Sequence, residues 1–240
     1  MLPALPPVFS TPPILMYHRV DAQVPRDPVG RDLTVTPRQF EAQLRALRAH
    51  GLAAVSMAQL ERRLRLREPL DRIVVLTFDD GYADQYAFAV PLLREYGGSA
   101  TFYIVSGEVG RPRHVTWPQL RAMRAQGFDI AAHGVQHDDL SLMSPAAQRY
   151  EIETSIAALR RHAHAPVGSY AYPSGRFNAQ TLLAVARSGV AFALTTDPAY
   201  VVPPETRFEM TRVRVRGEWD SGAFWNGVEA AWRSPHIVRR

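Results

Sequence analysis

Neither cysteine nor lysine occurs anywhere in the 240-residue chain. The first absence removes disulfides, thiolate metal sites and cysteine nucleophiles, and it leaves the redox compartment unreadable. The second removes Schiff-base lysines and the phosphate-binding lysine of P-loops, and it makes all 28 basic side chains arginine. Any metal must therefore be held by His, Asp or Glu. Long apolar runs are missing too. The opening MLPALPPVFSTPP is rich in proline and has no early positive charge, so neither a secretory leader nor a membrane span is expected. Cytoplasmic is the default compartment on that reading, and periplasmic or extracellular the alternative if the N-terminus has been trimmed.

What is present is enough for one sizeable core: 240 residues, 46% of them hydrophobic. A single catalytic domain over residues 1–240, led by a short proline-rich segment at 1–13, is the expected organisation. The net charge of +5 is spread along the chain, with several arginines set against glutamates at helical spacing. That pattern reads as a solvated surface, and no nucleic-acid partner is expected. The oligomeric state is left open.

Strand and helix signals alternate without an internal repeat. The run Ile14 to Tyr17 reads as a strand ending at His18, and a Pro-, Asp- and Gly-rich loop follows from Asp21 to Asp32. Thr36 and Pro37 open a helix in which Phe40, Leu44 and Leu47 recur at helical spacing, closed by Gly51. IVVLTF, Ile73 to Phe78, is a continuous apolar run of the kind buried on both faces of a parallel sheet. Further strands are predicted at Ser99 to Val105, Phe128 to Ala132, VGSYAYP and VAFALTT, separated by helices over Trp117 to Gln126, Pro145 to Arg161 and Ala179 to Arg187. TRVRVR and a short helix containing Phe224, Trp225, Val228 and Trp232 form the tail. Repeated β-then-α units imply a parallel sheet, open or closed into a barrel.

Two motifs sit where chemistry is expected in such a fold, at the C-terminal ends of buried strands. Asp79 and Asp80 end the IVVLTF strand, and Gly81 permits a turn that lets both acids reach one site. His133 and His137 begin at the end of FDIAA, four residues apart, so one helical turn would face them the same way. One Asp and two His make a facial triad with open positions, which a catalytic metal site needs and a structural one does not. The second carboxylate is then left to take the proton of the attacking water. Zinc is the expected ion, with cobalt or nickel as alternatives.

At this point the chain resembles the NodB-type polysaccharide deacetylases, carbohydrate esterase family four. The likeness runs from Ile14 to Thr196 through ILMYHRV, TFDDGYAD, SATFYIV, TWPQL with GFDIAAHGVQHDDL, and SYAYPSGRF. Within the family it looks most like the branch acting on poly-N-acetylglucosamine, which shares the Tyr17-His18 start and the Tyr-Pro-x-Gly form of the third motif. The resemblance implies a single-domain distorted (β/α) barrel and hydrolysis of N-acetyl groups from an amino-sugar polymer or oligomer, whether poly-N-acetylglucosamine-like, chitin-like or peptidoglycan. It assigns Asp79 as general base and Asp80, His133 and His137 as metal ligands. It also makes Tyr172, Pro173 and Ser174 a wall of the groove, with the Ser174 backbone N–H stabilising the oxyanion.

Three departures from the family pattern bear on mechanism. Gly134 stands where many relatives carry Ser or Thr. Ala171 replaces an arginine that contacts the base, a role open to Arg212. The late Leu-x-His motif that supplies the general acid is missing, and the one histidine after residue 164 is His236. His18, at a strand end, is the candidate acid, with Asp79 returning its own proton as the alternative. Tyr82, Trp117, Tyr172 and Trp219 are candidates to line the groove. His50, His114, His162 and His164 are expected on the surface. A glycoside hydrolase is disfavoured, because adjacent Asp79 and Asp80 do not flank a sugar ring. A glycan-binding module without turnover is the non-catalytic alternative.

Overall fold

The computed structural model describes residues 3–198, 206–233 and 237–239. Seven parallel strands form a closed ring in the order Ile14–Tyr17, Met210–Arg214, Phe192–Pro198, Ser169–Ala171, Asp129–Ala132, Thr101–Ile104 and Ile73–Phe78. Pairing of the first with the last closes it, in the register Ile14↔Val75 to Tyr17↔Phe78. A short strand, Ala53–Val55, adds to the lower half of Ile73–Phe78. The tail strand is thus a barrel stave and not an appendage. TRVRVR looks half-exposed in sequence, yet Met210, Thr211, Arg212 and Val213 are all buried, because the arginine is neutralised inside the barrel.

Most helices cover the outside of the ring, whereas Met57–Leu66 packs Met57, Leu60 and Leu64 with the inward-facing residues. Pro37–Ala49, Met57–Leu66 and Trp117–Ala125 each begin with a complete capping box, Thr36 with Gln39, Ser56 with Gln59, and Thr116 with Gln119. Period-two alternation along Ile73–Phe78 sends Val74, Leu76 and Phe78 outward to the helices and Ile73 and Val75 inward. Asp79 continues the inward set. The outward set ends in an aromatic row: Tyr17 stacks on Phe78 at 5.1 Å, and Phe78 on Phe102 at 4.9 Å. Such pairs add about 0.5–1.5 kcal/mol each beyond area burial. They fix three neighbouring strand ends just behind His18, Asp79 and Asp80.

The proline-rich start is not a bare lead-in. Val8–Ser10 pairs antiparallel with Ile237–Arg239, and Leu5 and Phe9 are buried, Phe9 edge-on to Phe192 at 6.1 Å. His236 lies outside the described residues. Among the described residues no helix is long and apolar enough to cross a membrane.

Candidate metal and catalytic centre

The Ile73–Phe78 strand is followed by two consecutive residues in left-handed conformation, Asp80 (φ 74°) and Gly81 (φ 76°). The turn therefore starts at Asp80 itself, one residue earlier than Gly81 alone suggests. It swings Asp80 onto the side that Asp79 already faces, at a backbone cost for an L residue of about 1–2 kcal/mol.

The histidines converge differently from the sequence expectation. Residues 133–139 form a loop and not a helical turn. Gly134 (φ 79°) and His137 (φ 62°) are both left-handed, and these two reversals bring the His137 ring to within 4.9 Å of His133. Glycine at 134 removes the conformational cost at the first of the two. The loop is held from behind by Glu151, buried on the Pro145–His162 helix, whose Oε2 accepts from Val135 N (2.7 Å) and Gln136 N (3.0 Å). His133 is fixed by its Nδ1, 2.8 Å from Ala171 O, which directs Nε2 into the site.

Asp80 Oδ1 stands 3.4 Å from the Nε2 of both His133 and His137. It is buried and, among the described residues, has no hydrogen-bond partner. All three donor atoms lie within 4.8 Å of one another. Two ligands about 2.1 Å from one ion at the tetrahedral angle stand roughly 3.4 Å apart, so the spacing and the N, N, O donor set fit a divalent transition metal. Burial pushes the Asp80 carboxyl up, but the His133 imidazole 3.4 Å away and the neighbouring His18 and His137 hold it well below the usual carboxylate range. His133 is shifted the other way: burial lowers it, and the two aspartates outweigh that, leaving it above the ordinary histidine value. Burial and the neighbouring His133 lower His137.

Asp79 is gripped by Arg212. Nη1 donates to Oδ1 and Nη2 to Oδ2, both at 2.7 Å, and both side chains are essentially inaccessible, 0% and 1% exposed. Nη1 also donates to Thr77 Oγ1 (3.1 Å) and Nε to Thr195 O (2.8 Å). Burial raises the Asp79 pKa, and the Arg212 guanidinium with His133 more than offsets it, so the net shift is downward. The arginine contact to Asp79 that Ala171 does not make is supplied from the Met210–Arg214 strand. His18 shares the site: its imidazole is buried with Nδ1 unpartnered, and it feels both Asp79 and Asp80. Burial leads the lowering of its pKa, and Arg214 and Arg212 add to it.

Pro173 and Ser174 follow the Ser169–Ala171 strand, with Ser174 exposed and left-handed (φ 54°). Pro173 packs beside Gly134. Tyr172 is a correction. Its ring is fully buried, stacked on Phe177 at 4.8 Å, and its hydroxyl donates to Phe208 O, so it braces the motif from the core and walls no groove. Trp117 belongs to the helix layer, packed on His162 at 5.0 Å, and Trp219 leans on Gly227 of the Ser221–Arg233 helix. Tyr82 does stand at the site. Burial and Asp80 push its hydroxyl up to about 12. His114 is not a free surface residue, since it stacks on Tyr82 at 5.3 Å. His50, His162 and His164 are exposed, as expected.

Two groups escaped the sequence reading. Glu151 lies within an ordinary helical pattern and is marked by nothing in sequence except a carboxylate on the buried face. Asp84 accepts from Val20 N and Arg19 Nε, and in sequence it merges with the turn that follows Asp80.

A closed (β/α) barrel of NodB type carries at its strand ends an Asp-His-His cluster that could hold a metal ion and, beside it, an arginine-bound aspartate. Residues 67–193 match the sequence model of the polysaccharide deacetylases, more than half of the chain. A Bacillus subtilis protein, YxkH, whose name assigns it to the same family, is 30% identical over 219 residues, covering 91% of this chain and 76% of that relative. The chain belongs to the polysaccharide deacetylase family and is a carbohydrate N-deacetylase. The poly-β-1,6-N-acetyl-D-glucosamine N-deacetylase of Staphylococcus epidermidis is 23% identical, over 86% of this chain and 82% of that one. Among solved structures, the Streptococcus pyogenes deacetylase PplD in complex with acetate superimposes with a TM-score of 0.81 at 28% identity, covering 92% and 98% of the two chains.

Proposed function

We propose that the chain is a metal-dependent hydrolase of N-acetyl groups on an N-acetylglucosamine polymer, of the poly-β-1,6-linked kind. The observation that carries the reading is Asp80 Oδ1, buried, without a partner and 3.4 Å from two imidazole nitrogens, next to an aspartate whose lone pairs are aimed by Arg212. The name of the staphylococcal relative supports the choice of glycan.

Asp80, His133 and His137 would hold a divalent ion, zinc first and cobalt or nickel as alternatives. Bound there, it would supply Lewis-acid polarisation of the acetyl oxygen and a lowered pKa for water. Asp79 accepts the proton of the attacking water, kept ionised and in register by Arg212. The Ser174 N–H, presented by Pro173 and the Tyr172 anchor, faces the oxygen that gains charge. His18 protonates the departing amine. Each turnover consumes one water and releases acetate and a free amino group.

Acetate release from poly-N-acetylglucosamine, chitin oligomers and peptidoglycan, with new reducing ends counted in parallel, tests the reading. Deacetylation yields acetate without new reducing ends. New reducing ends would mark a glycosidase, and binding without either product would mark a glycan-binding module on the same fold.

A further inference from the structure

The acidic turn is followed by a single π-helical turn, Gln85–Ala89, leading into the Val90–Glu95 helix. Wide turns of this kind occur often at functional sites, because the extra residue re-aims a side chain. Here the side chain is Gln85, which is wholly buried although it bears a primary amide. Its Nε2 donates to two backbone carbonyls, Asp79 O at 2.5 Å and His18 O at 2.6 Å. The amide orientation is set by this pair, since the opposite flip would press an oxygen against two carbonyl oxygens. Oε1 is left without a partner. The hydrogen bonds of the Gln85 side chain therefore go to those two carbonyls.

The two carbonyls are not arbitrary. Asp79 C=O belongs to the peptide that joins the proposed base to the proposed metal ligand Asp80, just before the left-handed turn at φ 74°. His18 C=O belongs to the peptide that follows the proposed acid. A clamp on both fixes the tilt of the Asp79–Asp80 peptide and the height of His18 against it. Its neighbour Asp84 extends the same link, with Oδ1 on Val20 N at 3.0 Å and Oδ2 on Arg19 Nε at 2.9 Å.

We propose that Gln85 is a positioning residue, which locks the peptide between Asp79 and Asp80 to the peptide after His18 so that base, metal ligand and acid keep one relative geometry. It touches neither substrate nor ion. Groups that orient metal ligands from behind typically contribute 10–100-fold in metal affinity or activity. The inference rests on the roles of Asp79, Asp80 and His18 proposed above.

The test compares wild type, Gln85→Met, which keeps the length and removes the donor, and Val185→Ala, a core control on the Ala179–Arg187 helix. Zinc affinity is measured by competition with a chromophoric chelator, and kcat and KM at saturating zinc, below the melting temperature of each protein. Gln85→Met is expected to bind zinc about 10–100-fold more weakly and to lose kcat with KM unchanged. Val185→Ala is expected to lose thermal stability alone. If Gln85→Met cannot be folded, Gln85→Asn, whose donor falls one methylene short, carries the same comparison. A Gln85 variant that loses melting temperature like the control, yet keeps zinc affinity and kcat, overturns the inference. A wild-type protein that binds no zinc would instead overturn the underlying site reading.

Discussion

Arg212 holds both carboxylate oxygens of Asp79 at 2.7 Å from a strand that is not Asp79's neighbour in the ring, since Ile14–Tyr17 lies between them. The contact crosses the barrel interior, and the guanidinium is also 5.8 Å from the Tyr103 ring centre. Arg212→Met leaves a buried carboxylate unpaired, and breaking such a pair costs about 3–5 kcal/mol. Arg212→Lys keeps the charge but not the planar fork. It is expected to fold and to lose kcat by about a hundredfold with KM preserved, as misplacement of a reacting group does. Thermal unfolding and steady-state kinetics of the two variants check this, and a Lys variant with wild-type kcat contradicts it.

The pH dependence follows from opposite shifts at two neighbours. Asp79 is held below the ordinary carboxylate range by Arg212 and His133 against the pull of burial. The ionised form is thus the one the fold favours. Its stabilising contribution is complete above the unfolded value of about 3.9 and is lost as pH falls through the lower folded value. In the metal-free protein His133 sits above its ordinary value, so protons compete for that ligand from higher pH. Zinc affinity is expected to fall with acidification starting above about pH 6.5, while Asp79 is still fully ionised. Chelator competition across a pH series measures it, and an affinity flat down to the carboxylate range would contradict the ligand assignment.

His18 supplies the proton for amine departure in this account, and a positioned acid contributes about 100 to 10,000-fold. His18→Ala is expected to keep metal and fold, to lose kcat in that range, and to flatten or displace the alkaline limb of the pH profile. Ester substrates should be hurt less, because their leaving group needs less protonation. Equal small losses on amide and ester would make His18 structural and leave Asp79 as both base and acid.

Glu151 holds the His133–His137 loop through two backbone N–H groups. Glu151→Gln keeps an acceptor there and is expected to stay near wild type in zinc affinity. Glu151→Ala strands both donors and is expected to bind zinc about 10–100-fold more weakly. Equal affinity in the two variants contradicts a role for that carboxylate in shaping the loop.

The alternation of strands and helices was legible because buried parallel strands read as unbroken apolar runs, and IVVLTF spans Ile73–Phe78 in sequence and structure alike. In the tail, TRVRVR reads as a strand and Arg212 is open to a contact with Asp79, but the alternation of arginine and valine does not show that the strand closes the ring with Arg212 inside it; the fold shows both. The four residues Asp79, Asp80, His133 and His137 were legible because carboxylates and imidazoles at strand ends have few structural uses. How the histidines meet was not, since two left-handed residues replace the helical turn that a four-residue spacing suggests. Tyr172 looked like a groove wall because an aromatic beside Pro-Ser-Gly gives no sign of which side it faces. Glu151 and Gln85 act through backbone partners far away in sequence, which no local motif encodes.

Metal content and acetate release, measured together on purified Asp79→Asn and Asp80→Ala, test the central claim most directly. Chelation of the wild-type protein followed by zinc, cobalt or nickel supplies the reference for loss and recovery. The account predicts that Asp79→Asn carries the metal of the wild type and releases almost no acetate, whereas Asp80→Ala fails to hold the metal. Equal metal loss in both variants, or undiminished acetate release by Asp79→Asn, would contradict it.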